Sequence, residues 1–487
     1  MRGAAVLAAV AALAVPAVAA AFTNAEPYAA KQWYLDEDQA WSFWPAMPQL
    51  FPVRVAVVDS GIDGSHPDLA GRVVAAKSFV GGSPYRDTDG HGTFVAGEIA
   101  ANPGNGAGIA GLAFNARLLV AKVVTPHGDV PISAEVAAIR WAVDEGARVI
   151  NLSLGAVRDP LDPAYDSYSP LEQAAVEYAY ARGVVVVAAV GNGTQSPSTP
   201  WRYAAYPAAL PHVIGVSALR RDGSVPEYSN RDAVYNDLAA PGDAIFSAIP
   251  TNLVRVTARC SDDPYSDCGP LDFRDAIGTS FAAPQVAAAA ALLLGQEPSL
   301  TPDQVAWLLE RTADDASPLT GCAPCGTGRD PVTGWGSLDV AAALERLASG
   351  APLPAPDRYE PNDDAGPWAH ALPPLPRTID ASLDFWDDNT DVYRVRLQAG
   401  QRLFARLTPG AAAAVKLALW APGTRHVEPL DVQDSRVTEA RRAARQLRLA
   451  YTAPVAGTYY LEAKLVSPRR DPVEYRLAVE SVSRRSP

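Results

Sequence analysis

The chain has 487 residues, 48% of them hydrophobic, so it can bury a large core; its length leaves room for about three domains, or fewer if an α/β unit exceeds ~200 residues. The net charge is −13 and no long basic run occurs, which argues against nucleic acid as a partner. An acidic surface of this kind favours solubility and says little about a substrate.

The chain opens with MRGAAVLAAVAALAVPAVAAA, a single Arg2 ahead of an alanine-rich apolar stretch, with small residues in A-x-A register at Ala19 to Ala21. This is the pattern of a secretory signal peptide over residues 1–21. The run is short for a membrane anchor, and no later segment reaches the ~18 apolar residues that a span needs. The expectation is a secreted, extracellular protein with no membrane anchor once the signal is removed. Residues 24–50 are aromatic-rich, lack clear periodicity and include Lys31-Gln32-Trp33-Tyr34.

Val53-Arg54-Val55-Ala56-Val57-Val58-Asp59 is a β-branched run that ends in an acid and is followed by Ser60-Gly61. It predicts a buried parallel strand that delivers Asp59 at its carboxyl end, where open α/β sheets hold their sites. In Asp89-Gly90-His91-Gly92-Thr93, His91 stands between glycines at the start of an apolar helix, in a chain with only 6 histidines. Residues 118–124, 149–154, 184–190 and 213–216 read as further strands. Between them, Ile132, Val136, Ile139 and Val143 recur at helical spacing, and residues 171–182 form a second helix ended by Gly183. Strand and helix alternate, so the expected fold class is α/β, a parallel sheet with helices on both faces. The strand over 184–190 runs into Gly191-Asn192-Gly193, read from the residues alone as a turn signal.

Gly278-Thr279-Ser280-Phe281-Ala282-Ala283-Pro284 places Ser280 ahead of an alanine-rich apolar run, residues 285–294. The first turn of such a helix offers unpaired N–H groups and the positive end of its dipole, which suit either an N-cap or a nucleophile. Thr301-Pro302-Asp303-Gln304 is a capping box with proline at the first helical position.

Four cysteines, Cys260, Cys268, Cys322 and Cys325, permit three pairings. The expectation is the local one, 260–268 and 322–325, as disulfides in an oxidising compartment; no histidine lies near them to suggest zinc. Residues 349–357 form a proline-rich linker. Beyond it, alternating segments at 390–398, 402–408, 415–420, 447–451, 457–465 and 475–479 predict a small all-β sandwich over residues 358–487. Residues 436–448 read either as a basic helix or as a disordered insert.

Three motifs, VAVVDSGID, DGHGTFVAG and GTSFAAP, carry a resemblance to the subtilisin-like serine peptidases, the subtilases. Their order, Asp then His then Ser, is that of the subtilisin triad. The resemblance runs from about Ala25 to Leu347, so residues 22–348 are expected to form a subtilisin-like peptidase domain. It implies Ser280 as nucleophile, His91 as general base, Asp59 as the acid that orients it, and Asn192 as oxyanion donor together with the Ser280 N–H. Ser153, Leu154 and Gly155 match the family's strand edge that pairs with extended substrate. Asp68 and Asn105, with the carbonyls of Ala107 and Ile109, match a structural calcium site; no cofactor is needed for the chemistry itself. Lys31-Gln32-Trp33-Tyr34 looks like the amino-terminal arm of thermitase-like subtilases. The family's secreted members generally carry an inhibitory propeptide ahead of this arm; none is expected between the signal and the arm here, which leaves the maturation route open.

Tyr359-Glu360-Pro361-Asn362-Asp363, Asp391-Val392-Tyr393-Arg394-Val395 and Ala456-Gly457-Thr458-Tyr459-Tyr460 resemble the bacterial pre-peptidase C-terminal domain. Glu360, Asn362 and Asp363 form either a solvated loop or a second ion site. The function expected is a secreted serine endopeptidase, a monomer acting on extended polypeptides. The alternatives are a narrow-specificity processing peptidase, or a binding or adhesion protein on an inert subtilase scaffold.

Overall fold

The computed structural model describes residues 21–482 except 163, 254–271, 354–356, 385–388, 411–414, 425–426, 428–434, 444 and 467–471. The elements up to residue 348 are α1 (Trp33–Glu37), β1 (Val53–Asp59), β2 (Val73–Ser78), α2 (His91–Ala100), β3 (Ala116–Lys122), α3 (Ile132–Asp144), β4 (Val149–Leu152), α4 (Pro170–Tyr180), β5 (Val185–Ala189), β6 (Val213–Leu219), β7 (Leu238–Pro241), β8 (Ile245–Ala248), β9 (Phe273–Ala276), α5 (Ala283–Gln296), α6 (Pro302–Thr312) and α7 (Val340–Ala348).

Seven of these strands form one parallel sheet in the order β2-β3-β1-β4-β5-β6-β7. β1 is buried on both faces, and its side chains alternate between two cores. Val55 and Val57 join the cluster under α2 and α5, whereas Ala56 and Val58 join the one under α3 and α4. Helices therefore cover both faces, as expected, and β1 is central because it has no polar face to give to water. The strand order turns around at β1, with β3 on one side and β4 on the other. The crevice at the carboxyl ends of β1 and β4 is the topological switch point, where such sheets place their ligands.

α5 is buried from Ala283 to Gly295. Its alanines let it lie close against the sheet and α2, which explains why this helix has no polar stripe. α6 carries the expected capping box, with Gln304 N donating to Thr301 Oγ1 at 3.2 Å and Thr301 N to Gln304 Oε1 at 3.2 Å. The edge strands β2 and β7 and the β8–β9 antiparallel pair are additions to the sequence expectation.

The remaining strands are β10 (His370–Ala371), β11 (Arg377–Leu383), β12 (Thr390–Leu397), β13 (Arg402–Pro409), β14 (Val415–Trp420), β15 (Arg436–Glu439), β16 (Arg441–Ala443), β17 (Gln446–Thr452), β18 (Gly457–Leu465) and β19 (Val473–Val482). They form two five-stranded sheets, β10-β12-β18-β14-β15 and β11-β19-β13-β17-β16, antiparallel apart from the short β10–β12 pair. Leu403, Ala405 and Leu407 of β13 share one buried cluster with Leu417 and Leu419 of β14 and Leu461 of β18, so the two sheets meet through their apolar faces. Residues 436–448 are neither helix nor insert: their described part forms β15, β16 and the start of β17.

This β region seats on α4. Gln173 Nε2 donates to Asp364 Oδ2 at 3.1 Å, Trp368 Nε1 donates to Glu177 Oε2 at 2.7 Å, and His212 Nε2 lies 3.3 Å from Asp363 Oδ2. Within the 360–363 loop Asn362 and Asp363 are consequently buried, at 0% and 9% exposed, while Pro361 stays exposed. Burial, with Asp363 and Asp391 nearby, pushes the Glu360 carboxyl up to about 10. Cys322 and Cys325 form a disulfide with Cα atoms 5.4 Å apart, while Cys260 and Cys268 lie outside the described residues.

Candidate active site

Asp59 ends β1 and is 2% exposed. Its backbone successor holds it in place, because Ser60 N donates to Asp59 Oδ1 at 2.7 Å. His91 opens α2, and its Nδ1 lies 2.9 Å from both Asp59 carboxylate oxygens. That approach demands Gly92: a Cβ there would lie 2.1 Å from Gly61 O, so any larger residue would push the helix start away from β1. The Phe281 ring sits 5.3 Å from the imidazole and 4.5 Å from Phe94, which limits the histidine's rotamers. Burial alone would lower the imidazole pKa. The Asp59 contact, with Asp89 and Asp87 behind it, outweighs burial and raises it to about 9.

Ser280 lies in a single 3-10 turn, Thr279–Phe281, just ahead of α5, and is half buried. Its carbonyl accepts from Ser153 Oγ at 2.7 Å, and Asn151 Nδ2 donates to the same Oγ at 2.8 Å. The end of β4 thus ties down the serine turn. Asp59, His91, Asn192 and Ser280 line one cleft of about 310 Å³, together with Ser153, Leu154 and Gly155. Pairing of β4 with β1 and β5 stops at or before Leu152, so the three residues that follow carry strand-end backbone along the cleft wall.

Asn192 follows β5 and belongs to this site. Its Oδ1 accepts from Thr279 N and Thr279 Oγ1, each at 3.1 Å. With the carbonyl end engaged, the amide NH₂ is the end left for a ligand beside Ser280. Chemically, the arrangement offers a hydroxyl at a helix start, an imidazole held by a carboxylate, and a fixed amide donor, the parts that acyl transfer needs.

Three neighbours were not anticipated from sequence. Thr279 sets the Asn192 amide, and only its place beside Ser280 hinted at a role. Phe281 packs on His91. Asp87 is 1% exposed and accepts from Ser60 Oγ at 2.9 Å, Gly90 N at 2.9 Å, Thr93 N at 3.0 Å and Thr93 Oγ1 at 2.6 Å. It knits the His91 loop to the end of β1.

The residues matched to calcium also converge. Asp68 is 1% exposed; its Oδ1 accepts from Asn105 Nδ2 at 2.8 Å and its Oδ2 from Ile109 N at 2.9 Å. Asn105 Oδ1 accepts from Ala107 N at 2.8 Å. Glu26 of the amino-terminal arm joins them, a residue that no sequence pattern singles out. Its Oε1 accepts from Gly104 N and its Oε2 is buried without a hydrogen-bond partner. Burial, and Glu26 nearby, raise the Asp68 carboxyl despite the opposing hydrogen bonds. Gly108, at φ +65°, is needed here, since a Cβ would lie 2.0 Å from Asp68 Oδ2. Among the described residues no three His, Cys, Asp or Glu side chains gather closely enough for a metal, so a cation here would rely on two carboxylates plus amide and carbonyl oxygens.

Comparison with known proteins follows the same residues. The family model described as "Subtilase family" matches residues 52–336. Subtilisin DY of Bacillus licheniformis is 38% identical over 262 residues, 54% of this chain and 83% of that protein. Thermitase of Thermoactinomyces vulgaris is 34% identical over 302 residues, 61% of this chain and 93% of that protein. Among solved structures, a protease from Pseudoalteromonas arctica PAMC 21717 superposes with a TM-score of 0.53 at 27% identity, covering 66% of this chain and 99% of that one.

Proposed function

The chain belongs to the subtilase family of serine-type endopeptidases, and on that premise we propose that it hydrolyses extended polypeptides through Asp59, His91 and Ser280 and an acyl-enzyme on Ser280. The observation that carries this reading is the His91 Nδ1 contact of 2.9 Å to Asp59 in a cleft that Ser280 also lines. The contact fixes the tautomer, leaving Nε2 to take the serine proton during attack and to return it to the leaving amine. Asn192 Nδ2 and the Ser280 N–H would receive the negative charge that develops on the carbonyl oxygen. Ser153, Leu154 and Gly155 would pair with the substrate backbone and hold the scissile bond over the serine. The test is incubation of the purified protein with casein, reading new peptide amino termini. Cleavage by wild type and none by Ser280→Ala supports the assignment; equal cleavage by both rejects it.

The oxyanion role has its own signature. Asn192→Ala should lower kcat by about 10²–10³ with KM nearly unchanged, because the lost bond forms in the transition state. Steady-state kinetics on one peptide substrate separate the two parameters, and a change confined to KM would speak against the role.

A structural Ca²⁺ fits the orphan oxygen of Glu26 beside Asp68. Asp68, Asn105 and Glu26, with the carbonyls of Ala107 and Ile109, would hold it and pin the 102–109 loop to the arm. Chelation should then lower Tm by about 5–10 °C, reversibly with Ca²⁺. In Asp68→Asn that response should vanish. A wild-type Tm indifferent to chelator would remove the site from the proposal.

Export is supported by the apolar stretch over residues 1–21 and by the Cys322–Cys325 disulfide. Among the described residues no helix is long and apolar enough to cross a membrane. Residues 22–348 are proposed as the catalytic unit and 358–487 as a β-sandwich unit resembling the pre-peptidase C-terminal domain.

A further inference from the structure

The charged side chains lining the cleft are Asp59, His91 and Asp89. Asp59 serves His91; Asp89 has no part in the triad or the oxyanion site. Nor does it hold the loop together, which is the work of Asp87 two residues earlier. Asp87 is buried and binds Ser60, Gly90 and Thr93, and it also accepts from Asp89 N at 3.1 Å. The backbone of Asp89 is thereby fixed while its side chain stays exposed. The bond found for its carboxylate is a long one, 3.3 Å from His91 N to Oδ1. Among the described residues no lysine or arginine lies within ion-pair distance of it. Lys122, at the end of β3, is turned inward, donating to Ser60 O at 2.6 Å and Arg86 O at 3.0 Å. A rigidly mounted carboxylate with no lysine or arginine paired to it thus stands on the lip of the cleft two residues from the catalytic histidine, and apart from His91 itself no lining residue supplies a positive side chain.

We propose that Asp89 is a specificity-determining residue that selects polypeptides carrying lysine or arginine close to the scissile bond. The inference rests on the proteolytic reading of the same cleft and adds the substrate class to it. An ammonium or guanidinium on the bound segment would pair with Asp89, and a substrate carboxylate there would be repelled. Exposed pairs are weak, so each effect amounts to a few-fold. Attraction and repulsion together give about tenfold between Lys and Glu substrates, equivalent to about 1.4 kcal/mol. The preference should shrink with salt, because the pair is solvated.

The test uses the whole protein and fluorogenic peptides that differ only by Lys, Ala or Glu at each residue flanking the cleaved bond. In wild type at low salt, one position should show a Lys over Glu ratio of kcat/KM near tenfold, falling several-fold in about 0.5 M salt. Asp89→Asn should bring that ratio to within about twofold, and Asp89→Lys should reverse it. The ratio compares two substrates on one enzyme, so any effect of Asp89 on the His91 pKa cancels. A ratio unchanged in Asp89→Asn would overturn the proposal. So would a wild type that cleaves without regard to charge, which would leave the proteolytic reading standing. A wild type that cleaves no peptide would overturn both.

Discussion

Replacing Ser280 by alanine should reduce kcat by about 10⁶-fold and leave a folded protein. The size follows from the division of labour in the cleft. The hydroxyl is the nucleophile, and without it the imidazole of His91 has no proton to remove and no acyl-enzyme can form. What survives is substrate binding and the oxyanion donors, which in such sites leave about 10³–10⁴ over water. The fold should survive because Ser280 contributes its backbone rather than its side chain to the structure: its carbonyl accepts from Ser153 Oγ, and Thr279 N binds Asn192. Measuring kcat on a peptide and Tm on the same preparation checks both halves. A variant inactive only because it is unfolded would show a collapsed Tm, and a variant retaining more than about a hundredth of the activity would exclude Ser280 as nucleophile.

Asp59→Asn should cost about 10⁴ in kcat. The asparagine keeps the shape but presents an NH₂ to His91 Nδ1, which favours the tautomer with the proton on the wrong nitrogen. It also removes the largest influence raising the imidazole toward about 9. A general base works when neutral, so wild-type kcat/KM should climb with pH from the ordinary histidine range of ~6.5 toward about 9. In Asp59→Asn the residual activity should reach its plateau at lower pH. Both pH profiles are needed: a rate loss without the acid shift would mean that Asp59 positions His91 without charging it. Because the folded histidine holds its proton more tightly than the unfolded one, this pair stabilises the protein below ~6.5, and the contribution fades as pH rises through about 9.

Much of the site was legible because the chemistry sits on strongly patterned segments. β1 is an apolar run with one acid at its end, and a buried parallel strand is the only place such a run fits. The glycines around His91 and the serine ahead of an alanine helix are local signals of the same quality. β3 lies two residues ahead of the 118–124 span that the apolar pattern predicts: Ala116 and Arg117 pair with β1, while Val123 and Val124, though apolar, lie past the strand. β2 and β7 carry no clear sequence signal, because Val73–Ser78 is only half buried and Leu238–Pro241 spans four residues, too short for a period to show. β8 and β9 pair across a long stretch of chain, so no turn announces them. Asp87 and Asp89 are indistinguishable as letters; burial of one and exposure of the other is a tertiary fact. Glu26 meets Asp68 only because the arm folds back over the loop, with Tyr28 N donating to Gly108 O at 3.0 Å. The arginine-rich stretch at 436–448 looked unlike a strand, yet edge strands tolerate charge that central ones do not.

The most direct measurement is mass mapping of the wild-type protein after reaction with a fluorophosphonate. One adduct per chain is expected, on the peptide containing Ser280, and it should be blocked by prior incubation with substrate. An adduct on another serine, or no adduct on a preparation that still cleaves peptides, would contradict the joint working of Asp59, His91 and Ser280.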